Sequence, residues 1–314
     1  MNLPLTHVYA PLLLWTGLGI VLQRWLPPWV PRLLGRSLYW VGIPLVIFSS
    51  ARRTEFSVAM GIAPAAALTA VLSGLGLGLL ILKSAQSTEF QGQNRWSEIP
   101  SVKGSVLLTS MLGNAGFVGL ASVPLLLEPE FRALPAFYAV TQSALGTYGV
   151  GTLVANHYSD RRSPSQWWTQ FKKLSTVPAL WALAIGLLSH PFALSAPISQ
   201  VISWATVTVS PCAVVLMGLR LAGLTRWHQF KLAFLPTGIK MLVIPLLIAI
   251  ALTLLPISNQ ARLGMVLMAG MPSAFSCLIL AEEYNLDRSV ASGAIALSTT
   301  FLLVMLPFWI WLLG

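Results

Sequence analysis

The chain has 314 residues, of which 56% are hydrophobic and only 9% are charged. Soluble domains carry roughly 25% charged residues, so this composition excludes an ordinary soluble globule. The net charge of +10 does not indicate a nucleic-acid partner, because the basic residues are not gathered on one segment with interleaved aromatics. Apolar runs recur instead along almost the whole length, each long enough to cross a bilayer as a helix.

Hydropathy predicts an all-α integral membrane protein with ten transmembrane helices. The predicted spans lie near 8–26, 34–51, 57–82, 102–127, 133–156, 174–190, 196–222, 230–255, 261–281 and 288–313. No small-residue cleavage site follows the first span and no positive charge precedes it, so we expect a retained helix and not a signal peptide. The predicted spans therefore indicate a multi-pass protein located in the cell membrane.

Basic residues alternate between the loops. The loops after spans 1, 3, 5, 7 and 9 hold fourteen Lys and Arg residues, Arg36 and Arg220 among them, whereas the opposite loops hold four. By the positive-inside rule, the richer loops are cytoplasmic and both termini lie on the other side.

An internal repeat emerges at a constant offset of 167 positions. Residues that coincide at this offset are Pro11 and Pro178, Gly19 and Gly186, Pro44 and Pro211, and Arg53 and Arg220. We therefore predict a first five-helix repeat at 1–156, a cytoplasmic connecting loop at 157–173 and a second five-helix repeat at 174–314. Because five is odd, the second repeat enters the membrane from the opposite side, which is the inverted-repeat plan of many secondary transporters.

Spans 4 and 9 carry helix-breaking residues at corresponding places. Span 4 contains Gly113, Gly116 and Pro124 around a lone amide, Asn114, and span 9 contains Gly270, Pro272, Ser273 and Ser276. Such residues either allow close helix packing or break both helices near the midplane, where a substrate would bind. A break would expose helix N-termini, which suit a carboxylate, with Asn114, Ser273 or Ser276 as further donors.

Four segments in order, LGRSLYWVGIPLVIFSS, LGNAGFVGL, SPCAVVLMGLRLAG and MPSAFSCLILAEEYNLDRSVASGAIALSTTFLLVMLP, resemble the auxin efflux carrier family. That family includes plant auxin exporters and bacterial malate or malonate permease-like proteins, and the resemblance covers essentially the whole chain. It implies a bile acid symporter-like fold with crossing helices 4 and 9. Spans 1, 2, 6 and 7 would form a scaffold that makes a homodimer, and the other spans would move as an elevator.

The resemblance also implies a site. Asn114 matches the asparagine that contacts the substrate carboxylate in the plant exporters, and Gly113 and Gly116 flank it. Two departures bear on the substrate: Ala121 and Ser122 intervene before Pro124, and Ser276 stands where many bacterial members have asparagine.

Two further positions are candidates for the substrate site. Lys240, about ten residues into span 8, either faces the substrate or extends its ammonium to the cytoplasmic interface. Gln142, with Ser143 and Tyr148, makes span 5 unusually polar, which indicates either a substrate wall or hydrogen bonding inside the bundle.

The sequence predicts no cofactor, no metal and no enzymatic activity, because no nucleophile with a base and no Cys/His cluster lies at membrane depth. No Asp or Glu lies well inside a span, so uniport or potential-driven movement of an organic anion is the expected mechanism. A sodium- or proton-coupled symporter, a channel and a non-transporting receptor remain as alternatives.

Overall fold

The computed structural model describes residues 5–27, 29–52, 59–87, 98–159, 175–222 and 230–313, and within these ranges the chain is almost entirely helical. Helix α1 is Leu5–Leu22, α2 is Trp29–Arg52 and α3 is Ala59–Ser87. Helix α4 is Pro100–Met111, α5 is Ala115–Leu126 and α6 covers 134–158. Helix α7 is Pro178–Leu188, α8 is Ala196–Ala222 and α9 covers 230–253. Helix α10 is Asn259–Ala269, α11 is Phe275–Glu283 and α12 is Arg288–Leu313.

Helical structure occurs at every predicted span, and spans 4 and 9 are each divided into two helices, α4 with α5 and α10 with α11. Within the described residues, five helices are individually long and apolar enough to cross a membrane, namely α2, α3, α8, α9 and α12, and α1, α5 and α7 contain shorter apolar stretches. This supports a multi-pass helical membrane protein. Most of the predicted connecting loop 157–173, with its four basic residues, lies outside the described residues.

In the part of the chain that the structure describes, four helices carry a wider π-helical turn, in which the backbone hydrogen bond spans one extra residue. The turns are Leu38–Gly42 in α2, Ala115–Gly119 in α5, Gln142–Gly151 in α6 and Ile239–Val243 in α9. Such turns re-aim side chains and are frequent at functional sites. Each of these four contributes to the centre of the molecule described below.

One set of helices, α1, α2, α7 and α8, packs together and is called the scaffold group here. Its contacts are backbone to backbone at two places. Gly19 of α1 lies against Gly218 of α8, where a Cβ on either glycine would meet the other helix's backbone, and Gly186 of α7 lies against Ala51 of α2. Small residues at these points let the helix axes approach closely.

The remaining helices, α3 to α6 and α9 to α12, form the crossing group, so named because its two broken helices meet at its centre. Its interior is apolar around those breaks, with Val106, Leu107, Met265 and Val266 fully buried in α4 and α10. The two groups face each other along α2, α5 and α8, and that boundary contains the cavity described in the next subsection.

Candidate functional site

The breaks in the two helices are joined by backbone hydrogen bonds. The N–H of Asn114 donates to the carbonyl of Pro272 at 2.6 Å, and the N–H of Ala274 donates to the carbonyl of Leu112 at 2.9 Å. Gly113 and Ser273 therefore face each other as an isolated antiparallel bridge. The backbone N–H and carbonyl groups that would bond to each other within a continuous helix bond across the break instead. A buried backbone needs such partners, because unpaired polar groups are costly away from water.

Helices α5 and α11 both begin at this crossing. In α5 the side-chain oxygen of Asn114 accepts from the N–H of Phe117 at 3.3 Å, so Asn114 is the N-cap. Among the residues that the structure describes, none accepts from its amide nitrogen. The first N–H groups of a helix have no internal partner and carry the positive end of the helix dipole. Two such ends thus lie close together at the centre of the protein.

A cavity of about 310 Å³ opens beside these helix starts, between the scaffold group and the crossing group. The crossing group contributes Gly113, Asn114, Gly116, Phe117, Gln142, Ser143, Tyr148, Ala274, Phe275 and Ser276, and the scaffold group contributes Gly35, Arg36, Tyr39, Ile43, Val177 and Arg220. Gly116 and Ser276 occupy the second positions of α5 and α11, so both helix starts reach its wall.

Two guanidinium groups line this cavity, and no described carboxylate does. Arg220 of α8 stands 4.4 Å from the ring centre of Phe275 and 6.0 Å from that of Phe117. Its terminal nitrogen also packs against Gly35. Arg36 of α2 also lines the cavity, and its side chain is exposed.

Arg36 and Arg220 were counted with the loop charges, although the predicted spans 34–51 and 196–222 contain them, and both residues belong to helices that border the cavity. Charge counting does not reveal the direction of a side chain near a helix end. The one sequence signal was the coincidence of Arg220 with Arg53 in the repeat.

Hydroxyl and amide groups complete the wall. The hydroxyls of Tyr39 and Tyr148 are 2.8 Å apart and join the scaffold group to the crossing group. The side-chain nitrogen of Gln142 donates to the carbonyl of Gly113, while its oxygen is buried without a partner among the described residues. Gln142 therefore both faces the cavity and supports the crossing by a hydrogen bond inside the bundle.

Of the eight residues predicted for the site, five line the cavity: Gly113, Asn114, Gly116, Gln142 and Ser276. Pro272 and Ser273 lie behind it. Pro272 supplies the carbonyl that Asn114 uses, and the Ser273 hydroxyl donates to the carbonyl of Thr109 at 2.9 Å. The hydroxyl of Ser273 is thereby engaged within the protein.

Lys240, the eighth residue, does not extend to an interface. Its side chain is fully buried, and its ammonium donates to the carbonyl of Ala269 at 2.8 Å. That carbonyl belongs to the last residue of α10. Lys240 thus lies inside the crossing and does not line the cavity.

Comparison with known proteins agrees with this architecture. Residues 159–310 match a family described as membrane transport protein. An uncharacterized transporter of Methanothermobacter thermautotrophicus is 25% identical over 279 residues, which cover 88% of this chain and 87% of that protein. An uncharacterized transporter of Methanocaldococcus jannaschii is 25% identical over 215 residues, covering 67% of this chain and 68% of that protein. The matched family, whose model covers just under half of the chain, and both relatives are described as transporters, in line with the family that the sequence motifs resemble.

Proposed function

We propose that the chain is a secondary transporter that moves a small organic anion, and its match to the membrane transport protein family over residues 159–310 supports the transporter assignment. One observation carries the choice of an anion. Two arginines and two helix N-termini converge on one cavity whose described wall has no carboxylate. The positive ends of the helix dipoles and the guanidinium groups repel one another. An anion bound between them would relieve this repulsion.

The shape and lining of the cavity favour a carboxylate that also carries apolar surface. Its volume of about 310 Å³ is at the lower end of the range for small-molecule sites. A carboxylate would accept from Arg220, from the amide nitrogen of Asn114 and from the N–H groups near Gly116 and Ser276. The rings of Phe117 and Phe275 offer apolar faces for the rest of the molecule.

Ligand-dependent thermal stability tests this proposal before any substrate is known. A ligand that binds only the folded state raises the unfolding temperature. Purified protein is screened against carboxylates, amino acids and aromatic acids, with the matched amides or alcohols as neutral controls. We expect stabilisation by at least one carboxylate and by none of the neutral analogues. Stabilisation by cations or neutral compounds alone would contradict an anion site.

For the fold, we propose two inverted five-helix repeats. The paired contacts of the scaffold group support this. Adding 167 to Gly19 and subtracting 167 from its neighbour Gly218 gives 186 and 51, which are the numbers of the second contacting pair, Gly186 and Ala51. An inverted repeat produces such reciprocal contacts, because each half supplies the partner of the other.

Labelling of single cysteines tests the inverted topology. In a background without Cys212 and Cys277, a membrane-impermeant maleimide should reach Ser195→Cys only from outside and Glu282→Cys only from the cytoplasm. Both positions are exposed. Labelling of both from the same side would exclude the proposed orientation.

For the mechanism, we propose elevator-type alternating access without a coupling ion, in which the crossing group moves against the scaffold group. The position of the cavity on their common boundary supports this, and the family resemblance adds a homodimer formed through the scaffold. Replacing sodium with choline should leave transport within about twofold, because no carboxylate lies at depth to bind sodium. A much larger loss would favour the alternative, a sodium-coupled symporter.

A further inference from the structure

The ammonium of Lys240 lies in an environment built for a cation. Helices α4 and α10 end at the crossing, at Met111 and Ala269, and the C-terminal end of a helix is the negative end of its dipole. In broken membrane helices, such ends and the unwound carbonyls beside them are the groups that bind coupling cations. The N-terminal ends of α5 and α11 line the cavity, whereas Met111 and Ala269, at the negative ends of α4 and α10, do not.

Neutral donors already satisfy several carbonyls near the ends of α4 and α10. The hydroxyl of Ser273 donates to Thr109, the N–H of Ala274 donates to Leu112, and the N–H of Gly270 donates to Val266. The carbonyl of Ala269 is different, because it accepts from the Lys240 ammonium. No described carboxylate pairs with this ammonium, so backbone oxygen is its partner.

Gly113 fixes the ammonium against the centre of the crossing. A Cβ at Gly113 would stand 2.9 Å from the Lys240 nitrogen and 3.4 Å from the carbonyl oxygen of Met271, so both lie against the same point. The buried, unpartnered oxygen of Gln142 belongs to the side chain that binds the carbonyl of Gly113. Acceptor oxygens of Met271 and Gln142 therefore lie near this glycine. The π-helical turn Ile239–Val243 places Lys240 among them.

We propose that Lys240 is a fixed cation that occupies the place of a mobile coupling ion at the helix crossing. It neutralises the negative helix ends permanently, so the carrier keeps its crossing intact without sodium or another dissolved cation. This inference builds on the proposed anion transport, since it explains how that transport proceeds without ion coupling. It also predicts that removal of the charge creates a cation requirement that the natural protein lacks.

Thermal unfolding in different salts tests the fixed cation without any substrate. Natural protein, Lys240→Met, Lys240→Ala and Lys240→Arg are unfolded in sodium, lithium, potassium or choline chloride at equal ionic strength. Lys231→Met is the matched control, because Lys231 lies on the same helix with an exposed side chain. The readout needs no transported anion, so its outcome is independent of whether the anion assignment is right.

For the natural protein, Lys240→Arg and Lys231→Met, we expect the unfolding temperature of each protein to be the same in all four salts. Lys240→Met and Lys240→Ala should unfold earlier in choline, and sodium or lithium should restore Lys240→Ala with a saturating concentration dependence. Equal loss of stability in all four salts would overturn the proposal and leave Lys240 a packing residue. Failure of both uncharged variants to fold even in sodium and lithium would also count against it, because these ions should fill a vacated site.

Discussion

The guanidinium of Arg220 lies 4.4 Å from the ring centre of Phe275, the first residue of α11. This contact joins the scaffold group to the crossing group directly at the helix break. A cation stacked on an aromatic face keeps its N–H edges free for an anion. The same contact must rearrange if the two groups slide past each other. Arg220 therefore lies where it can contact both the proposed anion and the crossing group.

Replacing Arg220 should weaken anion binding without unfolding the protein. Arg220→Gln removes a charge-assisted hydrogen bond, which contributes about 1.5–3 kcal/mol, so affinity should fall roughly 10- to 100-fold. Arg220→Lys should give an intermediate value, because a lysine keeps the charge but loses the planar stacking on Phe275. The affinity of each variant is measured by titration with the carboxylate that stabilises the natural protein, followed by the shift in unfolding temperature. Arg288→Gln, at an exposed arginine outside the cavity, is the control and should bind normally.

A side chain at Gly113 should displace the Lys240 ammonium. The added Cβ of Gly113→Ala would lie 2.7 Å from the Lys240 Cε atom and 2.9 Å from its nitrogen. Overpacking of this kind costs about 1–3 kcal/mol, so the unfolding temperature should fall. Gly76→Ala is the matched control, because a Cβ at that helical glycine meets nothing within 4 Å. If the two variants were equally stable, Lys240 would not be held against Gly113 as described.

The scaffold group should depend on Gly218. A Cβ there would fall on the backbone oxygen of Thr16 and 3.0 Å from the Cα of Gly19, and neither atom can turn away as a side-chain tip could. Gly218→Ala should therefore push α1 and α8 apart and destabilise the protein by about 1–3 kcal/mol. Thermal unfolding measures the loss. Gly17→Ala, on the same helix as Gly19 and in open space, should be tolerated, and equal loss for both would contradict the close packing.

Hydropathy was sufficient to predict where the helices lie, because the thickness of the bilayer sets the length of the apolar run that a spanning helix needs. The breaks were also predictable. Glycine near Asn114 and proline at 272 disfavour a continuous helix, and both breaks are present. Helix α2 began earlier than expected, at Trp29, since its first turns are amphipathic and add little to hydropathy.

The direction of side chains was not predictable from the sequence. Lys240 had two possible directions at its depth in α9, and only the position of α10 decides between them. Arg36 and Arg220 satisfied the charge pattern of loops, although tertiary packing turns them toward the cavity. Ser273 and Ser276 looked equivalent on one segment, yet one bonds within the crossing and the other lines the cavity. In each case the deciding neighbour comes from a distant part of the chain.

Counterflow in proteoliposomes is the most direct test of the central claim that the cavity beside Asn114 is an anion transport site. Exchange of the labelled carboxylate that stabilises the protein is measured for the natural protein and for Asn114→Ala. Asn259→Ala is the control at an exposed asparagine. The natural protein and the control should exchange the carboxylate saturably. Asn114→Ala should fold but lose saturable exchange, because the start of α5 then lacks its cap and the amide donor for the anion. Full counterflow by Asn114→Ala would contradict the site.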